Sequence, residues 1–519
     1  MLRYTYEYDK CNCPGKFYSL LPISILKRFR KKLTDICLPE HLEKTVWWFF
    51  LAFLRIYLKK GSTLPKTMEI SCKENSHEKS IADFEKCKES VLLVGSMLSY
   101  SSTLINIGAS LNEKGLNSCF FVPSNIYQDI KIKLCSTGVS LFELEEFFTN
   151  ELEKIYKEKV KKYNRNWEMT KKAILENGSQ LLRDIHFVAP KQMKYVAEYV
   201  VPQIEVYSLL AGKILDAINP SVLFITRLRR LTETVFAAEA KKRGIPVVLA
   251  NHGHIGDDWL PETLGPVDKI CSAVLVWNND QKKQWKNLFP GLTEEQMHVF
   301  GGIQWDKPIQ KYIQQKPLKR EIRVSLMKSF CSSFAKSFEE ERWITITIDD
   351  YIRPDLNYLL MQLSNIANVR IFIKTRPHES KKTYQEFEPV ISAGSIHLVS
   401  KGINIDLFDL LYASDIMITS LSTTNLDALA VGSPVVTIAT KKNIYDDKRR
   451  LKLETWGLPV LKEKKKIYQT ISSFFDDKNT KALWKKSVSM AGKHLIANYP
   501  KAEAGERINS LIRVFNKKL

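Results

Sequence analysis

Short, wholly apolar runs recur along this chain, and nearly every one is followed by a stretch with helical spacing. This alternation limits the fold more than any other feature. Residues 91–95 (VLLVG), 119–122, 222–226 (VLFIT), 247–250 (VVLA) and 273–277 (AVLVW) have no polar face. Such runs fit strands covered on both sides, as in a parallel sheet, better than the alternating strands of a half-exposed one. Between them, residues 103–114 keep a helical period until Gly115, and residues 233–243 and 281–288 do the same. The stretch 140–215 is charged and helical in period, and we expect no strand there. The pattern repeats after about residue 320. Strands are expected at 343–348 (WITITI), 369–374, 396–399, 415–419 (DIMIT) and 434–438, with helices at 356–366, 406–413 and 423–431. Strands joined by helices, without hairpin signals, predict two doubly wound parallel α/β units.

The 519 residues exceed one compact core and suffice for two. We divide the chain into an extension and linker (1–85), a first α/β domain (86–315), a second (316–480) and C-terminal helices (481–519). The linker is the polar stretch 61–85, broken by glycine and proline. Residues 45–54 (TVWWFFLAFL) are apolar but bounded by Lys44 and Arg55, well short of the roughly 20 residues a membrane-spanning helix needs. They fit a packed core helix. They equally fit an interfacial segment in which Trp47, Trp48 and Tyr57 sit at headgroup level while Lys27, Lys32, Arg55, Lys59 and Lys60 meet anionic lipid. A formal net charge of +21 favours anionic partners of some kind. No zinc-finger or RNP pattern accompanies that charge, so no nucleic-acid partner is expected. The nine cysteines lack paired metal-site spacing and are expected to be reduced thiols in a cytoplasmic protein.

Ligands of open parallel sheets bind beyond the carboxyl ends of the strands. Three strand ends qualify. The first is Asn251-His252-Gly253-His254. With an ordinary pKa near 6.5, His252 suits a general base on a hydroxyl group or a donor to phosphate, whereas a histidine that merely closes a turn is the plain alternative. His254 lies further into the loop. The second is Lys374-Thr375-Arg376-Pro377-His378-Glu379, where cations and an imidazole leave a strand together and would cradle a pyrophosphate. A solvated basic loop is the alternative. The third is Thr419-Ser420-Leu421-Ser422-Thr423-Thr424, a run of hydroxyls at a predicted helix start, where they cap free N–H groups and where the dipole favours an anion. Asp427, one turn deeper, would accept from ribose hydroxyls. Of the Asp-Asp pairs, only Asp349-Asp350 ends a strand, which makes Asp350 a second catalytic candidate, and no metal site is expected. GxSxG, P-loop and HExxH patterns are missing from the sequence, which leaves serine hydrolase, P-loop and zincin chemistry without support.

With these residues in place, the chain resembles GT-B-type glycosyltransferases of bacterial surface and capsular polysaccharide assembly, including proteins related to CDP-glycerol glycerophosphotransferases. The resemblance rests on Gly244-Ile245-Pro246 with His252-Gly253, on Trp277 with Gly302 and Asp306, on Arg376-Pro377-His378-Glu379, and on Ala413-Ser414-Asp415 through Ser420, Ser422, Thr423 and Asp427-Ala428 to Gly432-Ser433-Pro434-Val435. It spans roughly residues 220–440. Two departures stand out. The family's His-Pro is reversed as Pro377-His378, and aspartate replaces the helix glutamate at Asp427. The resemblance implies two Rossmann-like domains facing a cleft, an acceptor domain followed by a nucleotide-donor domain, behind an N-terminal helical extension. It implies His252 as base, a donor diphosphate held by His378 and the 420–424 loop, and Gly253, His254 and Gly302 lining the cleft. The implied activity moves a sugar from a nucleotide-sugar donor to a glycan or lipid-linked acceptor, without a cofactor, at the inner face of the cytoplasmic membrane. Polyol-phosphate transfer from CDP-glycerol, a nucleotide-sugar epimerase and a non-catalytic nucleotide-sugar-binding protein are the alternatives on the same fold.

Overall fold

The computed structural model describes residues 87–135, 137–177, 201–228, 231–251, 267–330, 341–348, 352, 355–375, 396–399, 405–420, 422–439 and 453–516. The N-terminal extension and its apolar stretch lie outside the described residues.

The first half is a seven-stranded, all-parallel sheet in the order β3-β2-β1-β4-β5-β6-β7. Its strands are β1 (Val91–Val94), β2 (Ser118–Val122), β3 (Ser140–Glu143), β4 (Val222–Ile225), β5 (Val247–Ala250), β6 (Ala273–Val276) and β7 (Met297–Val299). Every residue of β1, β2, β4, β5 and β6 is buried, as apolar runs covered on both faces require. The longer helices are α1 (Leu98–Glu113), α2 (Ser124–Leu134), α3 (Asn150–Asn177), α4 (Val201–Ile218), α5 (Leu231–Lys242) and α6 (Asn279–Leu288). The stretch expected to hold no strand does hold one. β3 pairs with β2 in register Cys119↔Ser140 to Val122↔Glu143. It is an edge strand with polar ends, so it lacks the apolar run that marks the others.

The second half is a six-stranded parallel sheet in the order β10-β9-β8-β11-β12-β13. It comprises β8 (Arg342–Thr347), β9 (Val369–Lys374), β10 (Ile396–Val399), β11 (Ile416–Thr419), β12 (Val435–Ile438) and β13 (Val460–Leu461). Around it stand α7 (Lys319–Ser329), α8 (Leu356–Ser364), α9 (Leu407–Ala413), α10 (Thr424–Ala430), α11 (Ile467–Asp476) and α12 (Lys478–Leu495). Both sheets reverse strand order once, beside β1 and β4 in the first and beside β8 and β11 in the second. Those are the switch points at which such sheets open a crevice.

The C-terminal helices tie the halves together. Trp484, Val488, Ala491 and Leu495 of α12 pack into the second half. The next helix, α13 (Ala504–Asn516), returns to the first. Its Ala504, Ile508, Leu511 and Ile512 lie on one face at helical spacing and enter the same core as Leu104, Ile107 and Leu111 of α1. The approach of the two helices is close enough that a Cβ at Gly505 would lie 2.3 Å from Ser110 Oγ, so any side chain there would force Ser110 to move. Among the described residues no helix is long and apolar enough to cross a membrane.

Candidate functional site

In the second half, β8 and β11 run side by side, and at their carboxyl ends the Thr347 hydroxyl donates to Thr419 Oγ1 at 2.7 Å. The chain then turns through Ser420, Ser422 and Thr423 into α10. Asn425, absent from the sequence expectations, shapes that turn. Its side chain is fully buried. Nδ2 donates to the carbonyls of Ser420 and Ser422, each at 2.9 Å, while Oδ1 accepts from Thr437 Oγ1 at 3.1 Å. Its amide nitrogen thus fixes the loop's carbonyls while its oxygen ties the loop to β12.

Those hydroxyls do not cap the helix as expected. Thr423, the capping residue, makes no side-chain cap hydrogen bond. Ser422 Oγ lies 3.1 Å from Thr424 Oγ1 and accepts from Thr424 N only at 3.4 Å. The helix is also one residue shorter at each end than predicted, because Val431 already leaves helical geometry. Lys374 closes β9, on the far side of β8 from β11, and its Nζ donates to the Thr375 carbonyl at 3.0 Å.

Asp427 has a partner that the sequence did not announce. Its Oδ1 accepts a 2.8 Å hydrogen bond from the indole N–H of Trp305. Trp305 ends the single turn Ile303–Trp305 that follows β7, and is fully buried. Burial pushes the Asp427 carboxyl up to about 6, with the indole N–H opposing the shift. Trp305 meets Trp277 edge-on, ring centroids 4.6 Å apart. Trp277 Nε1 donates to the Asn251 carbonyl at 3.0 Å, and Asn251 Nδ2 donates to Gln281 Oε1 at 2.9 Å, the same oxygen that accepts from Trp277 N. A continuous run of contacts therefore joins the end of β5 in the first half to α10 in the second.

The tryptophan and glycine of the resemblance serve this seam, and its aspartate holds the returning C-terminal helix. A Cβ on Gly302 would lie 2.4 Å from Trp305 Cε3, so the glycine admits the ring. Asp306 Oδ2 accepts from Gly505 N at 2.9 Å and so caps α13. Burial raises the Asp306 carboxyl to about 6 despite that bond. Next to Trp277, Asn278 Nδ2 donates to the Leu495 carbonyl at 2.8 Å, at the end of α12.

Asn251 is thus firmly placed. His252, Gly253, His254, Asp350, Arg376, His378 and Glu379 lie outside the described residues. Among the described residues no group of three or more His, Cys, Asp or Glu side chains could hold a metal ion. Cys87, Cys119, Cys135 and Cys271 are free thiols.

Two Rossmann-like halves with a C-terminal helix returning to the first define the GT-B fold, and solved structures share it. Staphylococcus aureus MnaA, solved with UDP, superposes with a TM-score of 0.52 at 11% identity, covering 83% of this chain and 98% of that one. The UDP-GlcNAc 2-epimerase of Methanocaldococcus jannaschii, in complex with UDP-GlcNAc and UDP, gives 0.51 at 15% identity over 82% and 99% of the two chains. A glycosyltransferase from Rickettsia africae ESF-5 gives 0.51 at 10% identity over 83% and 100%. At these identities the likeness is one of fold. No family model and no curated protein matches the sequence.

Proposed function

We propose that this protein is a glycosyltransferase that moves a sugar from a nucleotide-sugar donor to a glycan or lipid-linked acceptor. The observation that carries the reading is the loop after β11. Its hydroxyls stand at a strand's carboxyl end beside a switch point, braced from behind by Asn425 rather than consumed in capping. Ser422, Thr423 and Thr424 would donate to the donor diphosphate, with Lys374, Arg376 and His378 supplying cations from beyond the end of β9, across β8. Asp427 would accept from the ribose. UDP and UDP-GlcNAc in solved structures of the same fold support a nucleotide sugar as the ligand class.

In the proposed reaction an acceptor hydroxyl attacks the anomeric carbon. The new C–O bond forms as the bond to the diphosphate breaks, the proton passes to His252, and the nucleoside diphosphate leaves. A base with a pKa near neutrality typically contributes about 10²–10⁴-fold. Epimerisation of the donor sugar is the second reading, favoured by the UDP-GlcNAc 2-epimerases that share the fold. Calorimetry with UDP-, CMP-, CDP- and GDP-linked donors, followed by product analysis with and without acceptor, tests both. Sugar inverted at C2 without acceptor establishes the second reading, a response to CDP-glycerol alone indicates polyol-phosphate transfer, and no binding to any donor overturns the proposal.

A further inference from the structure

The first half has its own switch point, between β1 and β4, and its own turn from a strand into a long helix: Val94, Gly95, Ser96, Met97, then the sixteen residues of α1. This is the geometry in which Rossmann-like units hold a phosphate against backbone N–H groups. Here the position is filled from within. Ser96 N donates to Glu233 Oε1 at 2.9 Å, and the Ser96 hydroxyl lies 2.8 Å from both Oε1 and Oε2. Glu233 stands on the first turn of α5, just after β4, and is 1% exposed. It reaches across 137 residues of sequence to the neighbouring strand's end. α1 itself has no acidic residue in its first turn, and its capping residue Met97 makes no side-chain cap hydrogen bond, so Glu233, bonded to Ser96 just ahead of Met97, supplies the carboxylate at the turn into the helix. Beside it, the Arg227 guanidinium lies 3.7 Å from the centre of the Tyr100 ring, a cation stacked on α1.

We propose that Glu233 is a built-in anion that keeps the first half's phosphate position closed, so that of two similar halves only the second admits a nucleoside diphosphate. The assignment of the nucleotide to the second half rests on the proposed function. The closure does not. At the turn after β11, the counterpart of the turn after β4 on which Glu233 stands, no carboxylate among the described residues accepts from Ser422 or Thr424, and Asp427 is bonded instead to Trp305.

The test uses the full chain with Glu233→Ala and Glu233→Gln, with sodium formate and inorganic phosphate as probes at constant ionic strength. E233A loses the carboxylate and leaves room for a small anion, so its unfolding temperature is expected to drop and to regain at least half of the loss in formate or phosphate. Wild type and the space-filling E233Q are expected not to respond. If E233A is recovered only by refolding, a yield raised by formate supports the closure and an unchanged yield overturns it. In calorimetry, UDP is expected to bind wild type once and E233A at a second, weaker site. Equal anion responses in E233A and wild type overturn the inference. Failure of wild type to bind any of the UDP-, CMP-, CDP- or GDP-linked donors would sink the proposed function, while the formate response would still decide whether Glu233 occupies an anion position.

Discussion

Replacing Asp306 and Asp427 together by asparagine is expected to stabilise the protein at neutral pH and to flatten its stability profile between about pH 4 and pH 7. Both carboxyls are pushed by burial from 3.8 to about 6. A raised carboxyl binds its proton more tightly when folded. Its favourable contribution is therefore complete below the unfolded value and is lost as pH rises through the folded one. Each shift is about two units, worth at most about 3 kcal/mol at 1.36 kcal/mol per unit, or about 6 kcal/mol for the pair. Both side chains keep some exposure, which favours the lower half of that range. Asparagine keeps an oxygen to accept from Trp305 Nε1 at position 427 and from Gly505 N at position 306, so the geometry survives while the titration goes. Denaturant unfolding at several pH values, followed by tryptophan fluorescence, gives the comparison directly. Asp406 and Glu145 are also raised by burial, but they titrate alike in both proteins and cancel in the difference. Parallel profiles for wild type and the double variant would refute the reasoning.

Four further outcomes follow from the same geometry. Ser422→Ala with Thr423→Ala is expected to weaken donor binding by about 1–3 kcal/mol, the scale of hydrogen bonds lost to a charged group, and calorimetry on the folded variant showing wild-type affinity would count against the donor loop. His252→Ala is expected to lower turnover about 10²–10⁴-fold with donor affinity nearly unchanged; preserved turnover per folded molecule would remove it from catalysis. Gly302→Ala drives a methyl into the Trp305 ring and is expected to cost about 1–3 kcal/mol, read as a lowered unfolding midpoint. Liposome flotation is expected to depend on both anionic lipid and residues 1–60, and flotation indifferent to either would leave Trp47, Trp48 and the basic residues near Lys27 without a membrane role.

The apolar runs at 91–94, 222–225, 247–250 and 416–419 were enough to place central strands, because a strand buried on both faces must be apolar at every position. Their alternation with helices was enough to make both sheets parallel. The edge strands β3, β7 and β13 escaped for the converse reason. An edge strand is short or carries polar residues, and its pairing is decided by the neighbour rather than by its own pattern. Residue type also marked Ser422, Thr423 and Asp427 as polar groups at a strand end, since chemistry and local spacing are properties of a segment. What each group bonds is not. Trp305 finds Asp427 across 122 residues, Asp306 caps a helix 199 residues on, and Glu233 fills the turn after β1 across 137. Those pairings exist only once two sheets, a returning C-terminal helix and the seam between them have brought distant strand ends together, because a hydrogen bond is selected by distance and desolvation in three dimensions. The chain's own residues therefore determined which strand ends were polar, and the tertiary structure alone decided which of those groups are bonded within the protein.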